Sequence, residues 1–160
     1  MNAIETRQLT RAFGELLAVD QLTLNIPAGA VFGFLGPNGA GKTTTVRMLT
    51  ALIGPTGGTA LVNGQPLGEG NQAIRRSVGI LTETPGLYER LTAIQNLRFF
   101  ARLYGLDLAR ADAQVERYLR MLGLWERRDD NVGGFSKGMR QKIAIARALL
   151  HEPAIVFLDE

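Results

Sequence analysis

Apolar and polar residues alternate from Ala3 to Leu9 and again from Leu22 to Ile26, which predicts two short antiparallel strands joined through Arg11 to Asp20. Pro27-Ala28-Gly29 reads as a turn into an apolar run, Ala30 to Leu35, that predicts a strand, and Thr43 to Leu52 then predicts a helix. Gly54-Pro55-Thr56-Gly57-Gly58 stops that helix and starts a strand, Thr59 to Val62, closed by the hairpin signal Asn63-Gly64. Gly68 to Gly70 reads as loop, Ala73 to Ser77 as a short helical turn, and Val78 to Leu81 as another buried strand.

Beyond Pro85-Gly86 the period becomes that of helices. Thr92-Ala93-Ile94-Gln95 fits a capping box, and Ile94, Leu97, Phe100, Ala101 and Tyr104 line one face until Gly105. Val115, Tyr118, Leu119 and Leu122 predict a second helix that closes at Gly123. These stripes read as core rather than ligand site, so Gly86 to Gly133 is expected to be a helical insert in an α/β domain. Ser136 is a good N-cap for a helix from Lys137 to Leu150, on which Arg140, Lys142 and Arg147 are expected to be solvated. Ala154 to Leu158 predicts a fully apolar strand ending in Asp159-Glu160.

Composition changes this picture little. The 160 residues suffice for one domain, and 46% hydrophobic with 21% charged content is ordinary for a soluble globular chain. A net charge of +3 suits an anionic nucleotide but is too small and dispersed to indicate nucleic acid. With no cysteine there is neither a disulfide framework nor a thiolate metal site. No apolar run approaches a membrane span, and the first residues lack the apolar core of a signal peptide.

Chemistry concentrates where the predicted strand meets the predicted helix. Leu35 to Thr45 reads L-G-P-N-G-A-G-K-T-T-T and satisfies G-x-x-x-x-G-K-[ST] through Gly36, Gly41, Lys42 and Thr43, with Asn38, Gly39 and Ala40 inside the loop and Thr44 after it. Glycines let successive N–H groups turn inward as a nest for phosphate oxygens, and the helix that follows adds its orphan donors and dipole. Lys42 is placed to reach the β and γ phosphates, and the Thr43 hydroxyl to ligate Mg²⁺. The N-terminus led by Ser136 offers a second anion site. Asp159 is a candidate Mg²⁺ ligand, directly or through water, and Glu160 a candidate to polarise the water attacking the γ-phosphate. Acidic strand ends also occur as plain surface charge, and the upstream P-loop is what favours chemistry here. Phe13 reads, on spacing alone, first as a half-buried strand-end aromatic and second as a platform for an adenine ring.

From Ile4 onward the sequence resembles the nucleotide-binding domain of ABC transporters, in particular those of bacterial multidrug and sodium exporters. The specific marker is F-S-K-G-M-R-Q, Phe135 to Gln141, which is similar to the family's signature motif ahead of a helix and of Walker B, here the strand Ala154 to Leu158 with Asp159-Glu160. The fold so implied is α/β, a P-loop NTPase with a RecA-like core, an antiparallel β subdomain and a helical insert. Its segments would be 1–85, 86–133 and 134–160. The resemblance puts Phe13 at the adenine-stacking position and Glu83 where a glutamine normally serves Mg²⁺ and the attacking water. Glu83 still offers an oxygen ligand, but its charge repels the γ-phosphate. Lys137 and Met139 replace the usual glycine and glutamine of the signature, with Lys137 either facing a γ-phosphate or facing solvent. His151 precedes Walker B and so does not match the switch histidine, which follows it; it reads as a loop residue with at most a weak helix-dipole interaction.

The resemblance further implies ATP and Mg²⁺ as cofactors and a second nucleotide-binding domain in a head-to-tail dimer. ATP held by Gly39, Gly41, Lys42, Thr43 and Thr44 of one copy would be faced by Ser136 and Gly138 of the other. A transmembrane permease subunit would dock around Leu87 to Leu91, placing the protein on the cytoplasmic face of a membrane with ATP hydrolysis coupled to export; no nucleic-acid partner is expected. The family's D-loop, switch histidine and remaining strands belong after Glu160, so the chain is expected to be incomplete at its C-terminus and inactive alone. The alternatives are a nucleotide-binding module without turnover and a soluble ABC-type ATPase acting on ribosomes or DNA.

Overall fold

The computed structural model describes residues 1–82, 84 and 86–159, and the chain divides into two compact units, Met1–Val78 and Gly79–Glu160.

In the first unit, β1 (Asn2–Phe13) and β2 (Leu16–Pro27) form a long antiparallel hairpin. The expected loop from Arg11 to Asp20 is therefore strand over most of its length, with Phe13 paired to Leu16 across Gly14-Glu15. Gly14 supplies φ 59° at the first central position of this two-residue loop, the backbone sign that matches strand twist. β3 (Gly57–Val62) pairs antiparallel with the other edge of β1, and β4 (Gln65–Pro66) closes the order β2-β1-β3-β4. The Asn63-Gly64 turn forms as expected, both residues having positive φ (49° and 73°). Ile4, Leu9, Val19, Ile26, Ala60 and Val62 are buried apolar side chains of this sheet, and Thr6 is buried beside them. α1 (Lys42–Leu49) and α2 (Asn71–Ser77) complete the unit.

Ala30 to Leu35 is not a strand. Among the described residues no strand runs beside it, and without a neighbouring ladder an apolar run has nothing to hold it in a sheet. Val31 and Leu35 are almost fully exposed in consequence.

The second unit contains β5 (Val78–Thr82, its first residue at the boundary) beside β6 (Ile155–Asp159), and the helices α3 (Ala93–Leu103), α4 (Leu108–Met121) and α5 (Lys137–Leu149). One core joins the helices through Leu97, Val115, Leu119, Ile143 and Leu150, with Val132 and Phe135 from the connection before α5. The caps follow the expected chemistry. Thr92 Oγ1 accepts from the Gln95 N–H at 3.2 Å while Gln95 Oε1 accepts from the Thr92 N–H at 3.0 Å. Gly105 and Gly123, at φ 82° and 69°, end α3 and α4. β6 departs from expectation: Val156 and Leu158 are exposed, so this apolar strand buries little of one face among the described residues.

One reading of a single residue changes and another gains a contact. Arg147 is not solvated: it is half-buried, its guanidinium lies 4.9 Å from the Phe100 ring centroid, and it donates to the Gly86 carbonyl at 3.0 Å. His151 lies in the turn after α5, the loop position expected, and there stacks face to face on Tyr104, with ring centroids 3.7 Å apart.

Candidate phosphate-binding site

The first unit carries the loop from Gly36 to Thr43. Gly39 and Gly41 both take left-handed backbone, at φ 83° and 82°, which L side chains adopt only with strain. At Gly41 space is also closed, since a Cβ would run into the Ala18 carbonyl oxygen of β2 and lie 3.1 Å from Val19 Cγ2. Glycine is required there by two independent constraints. Gly36 faces Ala40 closely, with 3.2 Å between a hypothetical Cβ and Ala40 Cβ, and the Ala40 N–H is bonded to the Pro37 carbonyl at 3.1 Å, which folds the Pro37-Asn38-Gly39-Ala40 turn.

Gly41 is the N-cap of α1 and provides no side-chain acceptor, and no acidic residue stands in the first turn. The helix N-terminus therefore keeps its partial positive charge and its donors for an external anion. Lys42 turns back over the loop: Nζ donates to the carbonyls of Gly36 at 2.7 Å and Pro37 at 3.0 Å. The ammonium is thus held across the mouth of the nest, at the place where a phosphate oxygen would compete for it. A triphosphate fits this donor set, and the Thr43 hydroxyl beside Lys42 suits the Mg²⁺ that accompanies one.

In the same unit, Phe13 at the hairpin tip is 46% exposed, which leaves about half of the strand-end aromatic at the surface. Arg11 lies against it, its guanidinium carbon 4.4 Å from the ring centroid.

In the second unit, the Ser136 side chain caps α5 by accepting from the Met139 N–H at 3.2 Å. Ser136, Lys137 and Gly138 are all exposed, and the first turn has no acidic residue. Among the described residues the space around Gly138 is open, so none of their contacts requires glycine there. Asp159 ends β6 and is half-buried. The Glu83 and Glu160 assignments lie outside the described residues.

Leu87 to Leu91 is held by a residue that patterning did not single out. Asn96 is fully buried on α3; its Oδ1 accepts from the Tyr88 N–H at 2.9 Å, and its Nδ2 donates to the carbonyls of Tyr88, Thr92 and Leu91. A polar residue adjoining an apolar stripe was the available signal. The segment is also clamped by the Val132 N–H to the Leu91 carbonyl and the Gly133 N–H to the Glu89 carbonyl. It presents Tyr88, 49% exposed, packed edge-on against Phe99 at 5.0 Å.

Comparison with known proteins places this arrangement. The family model "ABC transporter" matches residues 19–160. The chain is 43% identical over 157 residues to the bacitracin transport ATP-binding protein BcrA of Bacillus licheniformis, covering 98% of this chain and 50% of that protein. It is 46% identical over 145 residues to the ABC transporter ATP-binding protein NatA of Bacillus subtilis, covering 89% and 58%. Against the daunorubicin/doxorubicin resistance ATP-binding protein DrrA of Streptomyces peucetius it is 41% identical, covering 99% and 48%. A solved structure described as an ATP-binding subunit of an ABC transporter superposes with a TM-score of 0.89 at 34% identity, over 99% of this chain and 66% of that one. The chain spans about half the length of these curated relatives. The α/β P-loop fold of ABC nucleotide-binding domains is thereby established for it.

Proposed function

This chain belongs to the ABC transporter family, and from that premise we propose that it is part of the ATP-binding subunit of an export transporter, in which ATP binding and hydrolysis drive substrate across a membrane. The observation that carries the reading is the loop itself: two left-handed glycines, an acid-free helix N-terminus and an ammonium held across the nest. Gly36, Asn38, Gly39, Ala40 and Gly41 would wrap the phosphates with backbone donors, and Lys42 would exchange its two carbonyl partners for phosphate oxygens. Thr43 would offer a hydroxyl to the Mg²⁺ that ATP brings, and the family resemblance makes Asp159 and Glu83 further candidate carboxylate ligands; the ion would supply charge neutralisation along the phosphates. Thr44 follows as a further donor, Glu160 is the proposed group that orients the attacking water, and Phe13 the platform for the base.

Export rather than import is supported by the relatives BcrA and DrrA, which are named for bacitracin transport and for daunorubicin/doxorubicin resistance. Ser136 and Gly138 would face the nucleotide of a second nucleotide-binding domain in a head-to-tail dimer. A permease subunit would dock at Leu87 to Leu91, where Asn96 keeps the backbone rigid and Tyr88 supplies an exposed ring. On this reading the protein works at the cytoplasmic face of the membrane. No helix among the described residues is long and apolar enough to cross one.

The direct test is titration of MgATP into the chain and into Lys42→Met. Loss of a charge-assisted bond to phosphate predicts binding weaker by roughly 10- to 100-fold. Equal affinity of the two proteins would remove the P-loop from the reading.

A further inference from the structure

The hairpin tip holds a cation that no motif calls for. The Arg11 guanidinium carbon stands 4.4 Å from the Phe13 ring centroid, inside the range in which a cation is attracted to a ring face. Arg11 Nη1 is fixed by a 2.7 Å bond to the Gly54 carbonyl, while its Nε is buried with no hydrogen-bond partner among the described residues. A surface arginine serving only solubility would leave that N–H in water, where it is satisfied. The ground beneath it is firm as well. Thr56 Oγ1 accepts from the Ala12 N–H at 3.1 Å, and the Thr56 N–H donates to the Thr10 carbonyl at 2.8 Å, so Gly54 is tied to the strand that carries both side chains.

We propose that Arg11 is a positioning residue for nucleotide recognition, one that holds the Phe13 ring in a single orientation so that its open face receives the purine base. The proposal rests on the assignment of Phe13 as the base-stacking aromatic. An aromatic side chain 46% exposed at a hairpin tip has several rotamers open to it, and a base that stacks on it must freeze them. A guanidinium anchored to backbone and laid against the ring freezes them in advance, which is how preorganisation raises affinity. Its charge also draws π density toward Arg11, leaving the far face better matched to an electron-rich purine. This contribution acts on the base and not on the phosphates, so it vanishes for a ligand that has phosphates alone.

The test is calorimetric titration of the whole chain with MgATP and, separately, with magnesium tripolyphosphate. Phe13→Ala should weaken ATP binding about tenfold or more, within the range for loss of a base–aromatic stack, and leave tripolyphosphate binding unchanged. Arg11→Gln keeps a donor for the Gly54 carbonyl but removes the charge; it should weaken ATP about three- to fivefold with tripolyphosphate again unchanged. Arg11→Lys should recover at least half of that loss. If Phe13→Ala leaves the ratio of the two affinities as it was, the base-stacking assignment itself fails. If Phe13→Ala shifts the ratio and Arg11→Gln does not, or weakens both ligands alike, Arg11 is only a clamp on Gly54 and the proposal is overturned. Arg11→Leu takes the place of Arg11→Gln should that variant not fold, with the same two outcomes.

Discussion

At the scale of single residues, the molecule repeatedly spends polar groups on backbone carbonyls, and each such use sets a measurable response. Lys42 is the functional case, since its ammonium must leave Gly36 and Pro37 before it can serve a phosphate. Tyr104 responds to pH through burial instead. Burial pushes its phenol above the ordinary value of 10.0, and the nearby Arg147 guanidinium offsets that only in part. A group whose folded pKa is raised contributes stability that is fully present below its unfolded value and is lost as pH rises through the folded one. Tyr104→Phe, which keeps the ring stacked on His151, should therefore flatten the alkaline limb of stability above about pH 10. Urea midpoints followed by circular dichroism across that range check it, and superimposable limbs for the two proteins would contradict it. Glu152 has the opposite sign. Bonds from Arg110 and Gln114 hold its carboxyl below the ordinary 4.5, so its contribution is present at neutral pH and lost as pH falls through the lowered value.

At the scale of elements, local chemistry decided what could be read in advance. The Thr92-Gln95 capping box, the Ser136 cap and the Gly105 and Gly123 stops all depend on a few adjacent residues, and all formed where patterning put them. Thr92→Ala should thus lower stability by about 1 kcal/mol, seen as a melting temperature lower by a few degrees. An unchanged melting curve would mean that packing of α3 against α4 and α5 makes the cap redundant. Elements that depend on distant partners were not legible in the same way. Ala30 to Leu35 has the composition of a strand but no ladder beside it among the described residues. Conversely, Arg11 to Asp20 looked like a connection because its polar residues break the alternation, yet pairing with the opposite strand extends the hairpin to its tip. The same division holds at the site. The P-loop was legible because glycine, lysine and threonine are needed at fixed spacing. Arg11, Asn96 and Arg147 were not, because their partners, Gly54, Tyr88 and Gly86, are identified only once the chain has folded.

At the scale of the whole molecule, the two units divide the proposed labour, the first holding the P-loop and Phe13 and the second the signature helix and Asp159. If nucleotides are shared between two copies head to tail, turnover by a version extended to the length of the curated relatives should rise with the square of protein concentration at low concentration. A rate strictly proportional to concentration would instead indicate a self-sufficient monomer. The long hairpin also has a consequence in time. β1 and β2 are joined by only Gly14 and Glu15, whereas β1 must wait for β3 from beyond residue 56. Closing the shorter loop costs less entropy, and hairpins form in about 1–10 μs. The strand pair bearing Phe13 should accordingly be protected first in pulse-labelled hydrogen exchange during refolding, before the β1–β3 amides. The surface proposed to meet the base would then be among the earliest parts of the protein to exist, and simultaneous protection of both ladders would refute that order.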